Sequence, residues 1–182
     1  MHQHANFHNK VNQELGVELL SLPYRGERLH MVVALPVDGT MPLAEVEARL
    51  AQAGPAALDV TATKKRKLHV YLPKFRVEAS HNLGAALARA GVRDVFDQSR
   101  ADLSGMTGVP DLFVSLFVQK AFIQVDEEGT EAAAATAAVV KLRCMPAIFR
   151  ADRPFLFFIR DAATGLVLFA GRVTDPTAPP EQ

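Results

Sequence analysis

Few side chains of this 182-residue chain combine chemical reactivity with a recognisable motif. Ser104 and the scattered histidines and aspartates form no nucleophile motif, and no phosphate-binding loop occurs. His2, His4 and His8 are candidate metal ligands, but no cysteine or carboxylate lies close by in the sequence, which disfavours a metal site. We therefore predict that the protein is not an enzyme and needs neither a metal nor a cofactor.

One segment, residues 127–146, is chemically the most distinctive. Its alanine run, with Glu131 near the start and Lys141 near the end, is typical of a surface helix. In an extended conformation, every second residue from Thr130 to Val140 is small or β-branched and uncharged, while Glu131 and Lys141 share the opposite face. The composition therefore permits an exposed segment and also a strand that enters a sheet without burying a charge.

The composition is that of a neutral globular chain. Twenty basic residues balance twenty acidic ones, so no long-range field attracts nucleic acid or anionic lipid. No apolar run approaches the ~20 residues of a membrane span, and no signal-peptide pattern follows Met1. We expect neither a nucleic-acid nor a membrane partner. The densest basic run, residues 64–67, is interpreted as a solvated turn ahead of a strand, with a sulfated polymer as the alternative ligand.

Strands dominate the predicted elements, with two helices between them. Apolar and β-branched runs predict strands at 17–22, 29–35, 68–77, 154–159 and 166–173, the last two joined by a tight turn at 161–165. Helical spacing predicts a helix from Leu43 to Ala53 that ends at Gly54. A second helix is predicted to begin at a Ser80 cap and to end at Gly91.

Residues 112–125 form the most informative predicted strand. Both of its faces are largely apolar, which indicates a strand inside a sheet that is covered on both sides. Such a strand needs a neighbour at each edge, and the sequence is short of candidates. The strand at 68–77 is predicted to be kinked or at an edge, because Pro73 cannot donate to a ladder.

Two long motifs resemble the serpin family. Residues 125–136, VDEEGTEAAAAT, resemble the hinge of an inhibitory serpin reactive loop, and residues 149–159, FRADRPFLFFI, resemble the signature that follows it. Weaker likenesses lie at 22–24, 72–75, 101–106 and 168–176. The resemblance covers essentially the whole chain.

The resemblance implies an α+β fold, the C-terminal half of the serpin fold, with mainly antiparallel sheets, a few helices and an exposed reactive loop. It makes residues 1–182 a partial serpin domain, with the loop at about 127–146 and a C-terminal hairpin at about 154–174. Since the family fold needs about twice this length, we expect a fragment whose partners include the missing N-terminal half. The family likeness also implies an extracellular or periplasmic location.

By resemblance, the protein is a suicide inhibitor of serine proteases. A protease cuts the loop and forms an acyl-enzyme, and the cut loop then inserts into a sheet and distorts the protease. The alternative is a non-inhibitory or truncated remnant that is only cleaved, or that acts as a binding module.

The reactive bond is placed by counting along the family pattern. Fourteen positions after Gly129 and about eleven before Pro154 both give Arg143, with Cys144 after the cut. Arginine here implies a trypsin-like protease, whose specificity pocket holds an aspartate. A slip of one residue would present Leu142 and imply a chymotrypsin-like target.

The family pattern also assigns the residues that start insertion. Lys74 and Glu127 match an ion pair at the top of the sheet, and Gln119 stands where many members have a histidine at the sheet opening. The loop hinge comprises Glu127, Glu128, Gly129, Thr130, Glu131, Ala132, Ala133, Ala134, Ala135 and Thr136.

Overall fold

A computed structural model describes residues 1–126 and 147–175. The chain divides into two compact units, Met1–Phe75 with Val125–Gln182, and Arg76–Gln124. The class is mixed α+β, dominated by sheet and with few helices, which confirms the predicted class.

The described residues contain nine strands in two sheets. In chain order the strands are β1 (His2–Asn12), β2 (Val17–Pro23), β3 (Leu29–Pro36), β4 (Arg66–Tyr71), β5 (Phe75–Asn82), β6 (Val118–Val125), β7 (Ala147–Arg150), β8 (Phe155–Asp161) and β9 (Val167–Val173). The larger sheet has the order β7-β4-β1-β2-β3-β8-β9, and the smaller one pairs β5 with β6. Within the larger sheet every pair is antiparallel except β4–β7, which is parallel.

Strands β3 and β8 are interior strands of the larger sheet, the fifth and sixth of its seven, and they are buried almost throughout. Both read in the sequence as near-continuous apolar runs, which is typical of strands that are covered on both faces. Val33, Phe155 and Phe157 are each at most 3% exposed. The β8 strand therefore holds the C-terminal part of the chain in the interior of this sheet.

The turn between β8 and β9 is fixed by Asp161. Its side chain accepts hydrogen bonds from the backbone N–H groups of Ala163 and Thr164 at 2.9 and 3.0 Å. Gly165 follows with φ of 74°, a conformation that is easiest for glycine. Arg28 donates its Nε to the same carboxylate at 2.8 Å, which ties the turn to the residue before β3.

Helix α1 (Leu43–Ala53) has the predicted bounds and ends at Gly54, whose φ is 77°. It presents Leu43 and Val46 to the core, as the apolar spacing predicts. A short 3-10 helix, Pro55–Leu58, continues the layer. These elements cover an apolar cluster formed by Leu15, Val17, Leu19, Val32, Ala34, Leu43, Val46, Leu58, Val60, Leu156 and Phe158.

The second unit contains the smaller sheet with α2 (Gly84–Arg89), a 3-10 helix (Asp94–Phe96) and α3 (Ser104–Thr107). The predicted cap at Ser80 is wrong, because Ser80 lies within β5 and α2 begins only at Gly84. The Asn82 side chain accepts a hydrogen bond from the Gly84 N–H at 3.1 Å. Asn82, two residues after Ser80, therefore provides a partner for a backbone N–H group at the start of the helix. Gly91 has φ of 101°, in the left-handed region predicted for the end of the helix.

The predicted single strand at 68–77 is two strands, β4 and β5. The break falls at residues 72–74, around Pro73, which has no N–H to donate and limits the residue before it. The two strands then join different sheets. The predicted kink was therefore at the right position, but the structure has a complete break there, with a separate strand on each side.

The predicted interior strand at 112–125 is wrong for the described structure. Only its second half forms β6, which has β5 as its one strand neighbour among residues 1–126 and 147–175. The first half is irregular, and Val114 donates its N–H to Val95 O at 2.8 Å. Phe122 is 68% exposed. An apolar run becomes a strand only where a neighbour satisfies its backbone groups, and periodicity does not reveal that neighbour.

Candidate functional site

The candidate site is the segment 127–146, which lies outside the described residues. The reactive bond Arg143–Cys144 and the hinge residues from Glu127 to Thr136 are therefore predictions that the structure does not test. The described structure defines the two strands from which the segment extends. The chain leaves β6 at Val125 and enters β7 at Ala147.

The downstream strand, β7, forms one end of the seven-stranded sheet and pairs in parallel with β4. Its register places Ala147 beside Leu68 and Arg150 beside Tyr71. Phe149 points into the core and is fully buried, and the Ala151 N–H donates to Tyr71 O at 2.9 Å. One buried aromatic ring and a short ladder thus fix the point at which the candidate loop ends.

The signature at 149–159 is structural in character. Phe149 and Phe155 are fully buried, and Phe155 packs edge-on against Phe75 with ring centroids 5.7 Å apart. Arg153 donates its Nε to Pro36 O at 2.9 Å, which ties the entry to β8 to the end of β3. The motif therefore secures the loop's downstream end and contributes no reactive group.

Beside β7, rings from β1 and β4 form a continuous column on the outward face, which we call the ring column. The Arg150 guanidinium lies 4.7 Å from the centroid of the Tyr71 ring, a cation–π distance. The Tyr71 ring stacks on His2 at 4.5 Å, and His69 stacks on His4 at 4.0 Å. Strand alternation makes this possible, because every second residue of β1 and β4 faces outward.

Two histidines of the ring column share a hydrogen bond. His2 Nε2 lies 3.0 Å from His69 Nδ1, so one nitrogen must donate while the other accepts.

The electrostatic environment of the ring column is positive. Desolvation by neighbouring groups, followed by repulsion from His69, Lys67 and His2, lowers the pKa of His4 from 6.5. No acidic residue occurs in β1, β4 or β7, whereas Lys67 and Arg150 are exposed on them. Sequence reasoning noted His2 and His4 and missed Tyr71, His69 and Arg150. The alternation Lys67, His69, Tyr71 was the available signal, but only the register shows that it faces His2 and His4.

On the upstream side, β6 carries Gln119, which is exposed. Along β6 the burial alternates from Ala121 onward, with Ile123 half-buried and Phe122 exposed. Lys74 is exposed in the short break before β5. Its predicted partner Glu127 lies outside the described residues, so the ion pair at the sheet top stays a prediction, as does the role of Gln119.

Other kinds of site find no support in the part of the chain that the structure describes. There, no group of three or more histidine, cysteine or acidic side chains could hold a metal ion. No helix among the described residues is long and apolar enough to cross a membrane.

Comparison with known proteins identifies the class. The family description "Serpin (serine protease inhibitor)" matches residues 1–176. The chain therefore belongs to the serpin family, as the two sequence motifs predict.

Relatives and solved structures agree with this assignment. Human leukocyte elastase inhibitor is 43% identical over 188 residues, which cover 97% of this chain and 48% of that protein. A serpin from the trematode Schistosoma haematobium superposes with a TM-score of 0.78 at 28% identity, covering 97% of this chain and 46% of the other. Uncleaved ovalbumin gives 0.70 at 29% identity, over 94% and 43% of the two chains. The chain spans about half the length of the curated relatives it matches, and within that span it has the serpin fold.

Proposed function

We propose that the protein is a suicide inhibitor of trypsin-like serine proteases, with Arg143 as its bait residue. The observation that carries the proposal is the position of β6. In the described structure β6 has one strand neighbour, β5, and the segment of small residues follows β6 directly. Loop insertion adds a strand to a sheet, and the direct succession from β6 to this segment supports entry of the cut loop into the sheet that contains β6.

The proposed reaction begins as ordinary proteolysis. The protease serine attacks the Arg143 carbonyl carbon, its histidine takes the hydroxyl proton, and an ester bond forms to Arg143. The Arg143–Cys144 amide breaks, and the Cys144 amine leaves with the proton from the histidine. The new end at Arg143 is then free to follow the hinge residues into the sheet beside β6 before water releases the ester.

The hinge composition supports insertion. Alternate residues from Thr130 to Val140 are small or β-branched and uncharged, so that face can enter a sheet without burying a charge. Glu131 and Lys141 fall on the other face. Because the chain spans about half the length of its relatives, the activity is proposed for a protein in which the counterpart of their other half is also present.

The target specificity is the finer part of the proposal. One relative is named as an inhibitor of leukocyte elastase, and elastases have a small specificity pocket. Arginine at position 143 favours instead a protease with an aspartate in that pocket. If the cut falls one residue earlier, Leu142 would direct the inhibitor to chymotrypsin-like enzymes.

The direct test is incubation of the intact protein with trypsin, chymotrypsin and elastase, followed by boiling in detergent. We expect an adduct with trypsin that survives boiling, and mass spectrometry should locate the cut after Arg143. The matched variant Arg143→Leu should shift adduct formation from trypsin to chymotrypsin. Cleavage by all three enzymes without any adduct would leave the protein a substrate and refute the inhibitor proposal.

A further inference from the structure

The outward face of β1, β4 and β7 is unusual for a chain whose net charge is zero. The sequences of these three strands, HQHANFHNKVN, RKLHVY and AIFR, contain no aspartate or glutamate. Their outward residues are cationic, aromatic or neutral: His2, His4, Asn6, Lys67, His69, Tyr71, Ile148 and Arg150. We call this surface the cationic face.

Among residues 1–126 and 147–175, the acidic side chains next to the cationic face pair with cations other than Lys67 and Arg150. Glu18 lies 3.7 Å from Arg66, and Glu27 lies 3.4 Å from Lys65, so each accompanies a cation of its own. Asp152, two residues after Arg150, pairs with Arg153 at 3.1 Å. Positive charge on Lys67 and Arg150 is therefore left to act on whatever approaches this end of the sheet.

The position of the cationic face determines what approaches it. Arg143 precedes Ala147 by four residues, so their Cα atoms can be no more than about 14 Å apart. A typical protease–inhibitor interface covers about 800 Å² on each partner, equivalent to a disc of about 16 Å radius. A protease that engages Arg143 must therefore lie against or beside the strand that Ala147 begins.

We infer that the cationic face is a docking surface for an acidic patch on the serine protease that engages Arg143. The inference rests on the proposed function for the identity of the partner. Lys67 and Arg150 supply the charge, and the Tyr71 ring lies 4.7 Å from the Arg150 guanidinium and so positions that cation on the strand pair β4–β7. Docking there raises the rate of encounter and favours proteases with acidic surfaces among those that accept arginine.

The test uses two trypsins with the same specificity pocket and opposite surface charge, anionic trypsin and cationic trypsin. Both are made inactive at the catalytic serine, and their affinity for the intact protein is measured at about 50 mM and about 0.5 M salt. The variant is Lys67→Gln with Arg150→Gln. The control is Arg172→Gln on β9, at the opposite end of the same sheet. Melting temperatures confirm that all variants are folded.

We expect the double variant to bind anionic trypsin about tenfold more weakly at low salt, with the difference lost at high salt. Binding to cationic trypsin, and binding by the Arg172→Gln control, should change less than about twofold. An equal effect on both trypsins, or no effect on either, overturns the docking surface. The docking surface is also overturned if the double variant loses binding to heparin but keeps its affinity for anionic trypsin. That result would identify the cationic face as a site for sulfated polymers.

Active trypsin separates this inference from the proposed function. If boiling-resistant adducts form at the same rate with wild type and with the double variant, the inhibitor proposal stands and the docking surface is refuted. Absence of adducts, together with a charge-dependent affinity for inactive anionic trypsin, would refute the inhibitor and support the docking surface.

Discussion

Gly171 of β9 is the register partner of Phe157 of β8, and the Phe157 ring occupies the space where a side chain at position 171 would lie. A Cβ added to Gly171 would come within 2.7 Å of Phe157 Cε1, closer than packed atoms approach. The ring cannot easily move, because Phe157 is 3% exposed. The glycine thus permits a large, buried aromatic side chain on the neighbouring interior strand β8.

We predict that Gly171→Ala destabilises the protein by about 1–3 kcal/mol through overpacking. Urea unfolding measures the change. Gly39→Ala is the matched control, because its Cβ would meet only Arg153 Cδ at 3.7 Å, an ordinary contact. Equal stability of the two variants would contradict the packing argument.

Asp161 should make folding stability depend on pH in the acid range. Hydrogen bonds from the Thr164 backbone and the Arg28 side chain lower the pKa of this carboxyl from 3.8 to about 2. The stabilisation is present above pH 3.8 and is lost as the pH falls towards 2, because the folded state then binds its proton later than the unfolded chain. Wild type should therefore exceed Asp161→Asn in melting temperature at pH 6, and the gap should close near pH 2.

Asp152→Asn provides the control for that series. Asp152 is exposed and pairs with its neighbour Arg153 at the surface, so this variant should stay close to wild type throughout. A gap for Asp161→Asn that persists unchanged at pH 2 would show that the carboxylate charge is not responsible.

The ring column predicts a dependence of the same direction, but nearer to neutral pH. Because the pKa of His4 is lowered from 6.5, the folded state favours its neutral form, and stability falls as the pH drops below 6.5. The groups that face His4 are His69, Lys67 and His2, all of which oppose its protonation. His4→Phe keeps a ring against His69 without a titrating group, so it should lose less stability than wild type between pH 7 and pH 5.

Thermal unfolding at a series of pH values measures this difference. His81→Phe, at an exposed position on β5 and outside the ring column, is the control and should retain the wild-type slope. Equal slopes for His4→Phe and wild type would mean that His4 does not contribute to the pH dependence.

The hinge predicts a separation of cleavage from trapping. Thr130 lies on the face that is proposed to enter the sheet, so Thr130→Arg would bury a charge on insertion. Trypsin should still cut after Arg143, while the yield of boiling-resistant adduct should fall at least tenfold. Glu131→Arg, on the opposite face, should retain trapping. Similar yields from both variants would contradict insertion with this orientation.

Local signals in the sequence predict most of the larger sheet. The bounds of α1 follow from its apolar spacing and from Gly54, and the turn after β8 follows from Asp161 and Gly165. These features depend on residues close together in the chain. The family motifs extend the prediction to the fold class, because they encode packing that has no local signature, such as the burial of Phe149 and Phe155.

The remaining features depend on which strands become neighbours. The apolar run at 112–125 predicts a buried strand, but its burial requires a second partner, and only β5 lies beside β6 in the described residues. The ring column was missed for the same reason, since His4 and His69 are 65 positions apart and meet only through the register of β1 and β4. The assignments of Arg143 and of the hinge stay predictions based on family counting.

The place of β8 between β3 and β9 has a consequence for the fate of a cut protein. Scission of the Arg143–Cys144 bond would produce two polypeptides, and the shorter one, residues 144–182, would contain β7, β8 and β9. The shorter polypeptide is held to the longer one by the hydrogen-bonded pairs β3–β8 and β4–β7 and by the buried Phe155 ring. The two pieces should therefore migrate together under native conditions and separate only in denaturant. A protein cut at this bond should keep its full native mass.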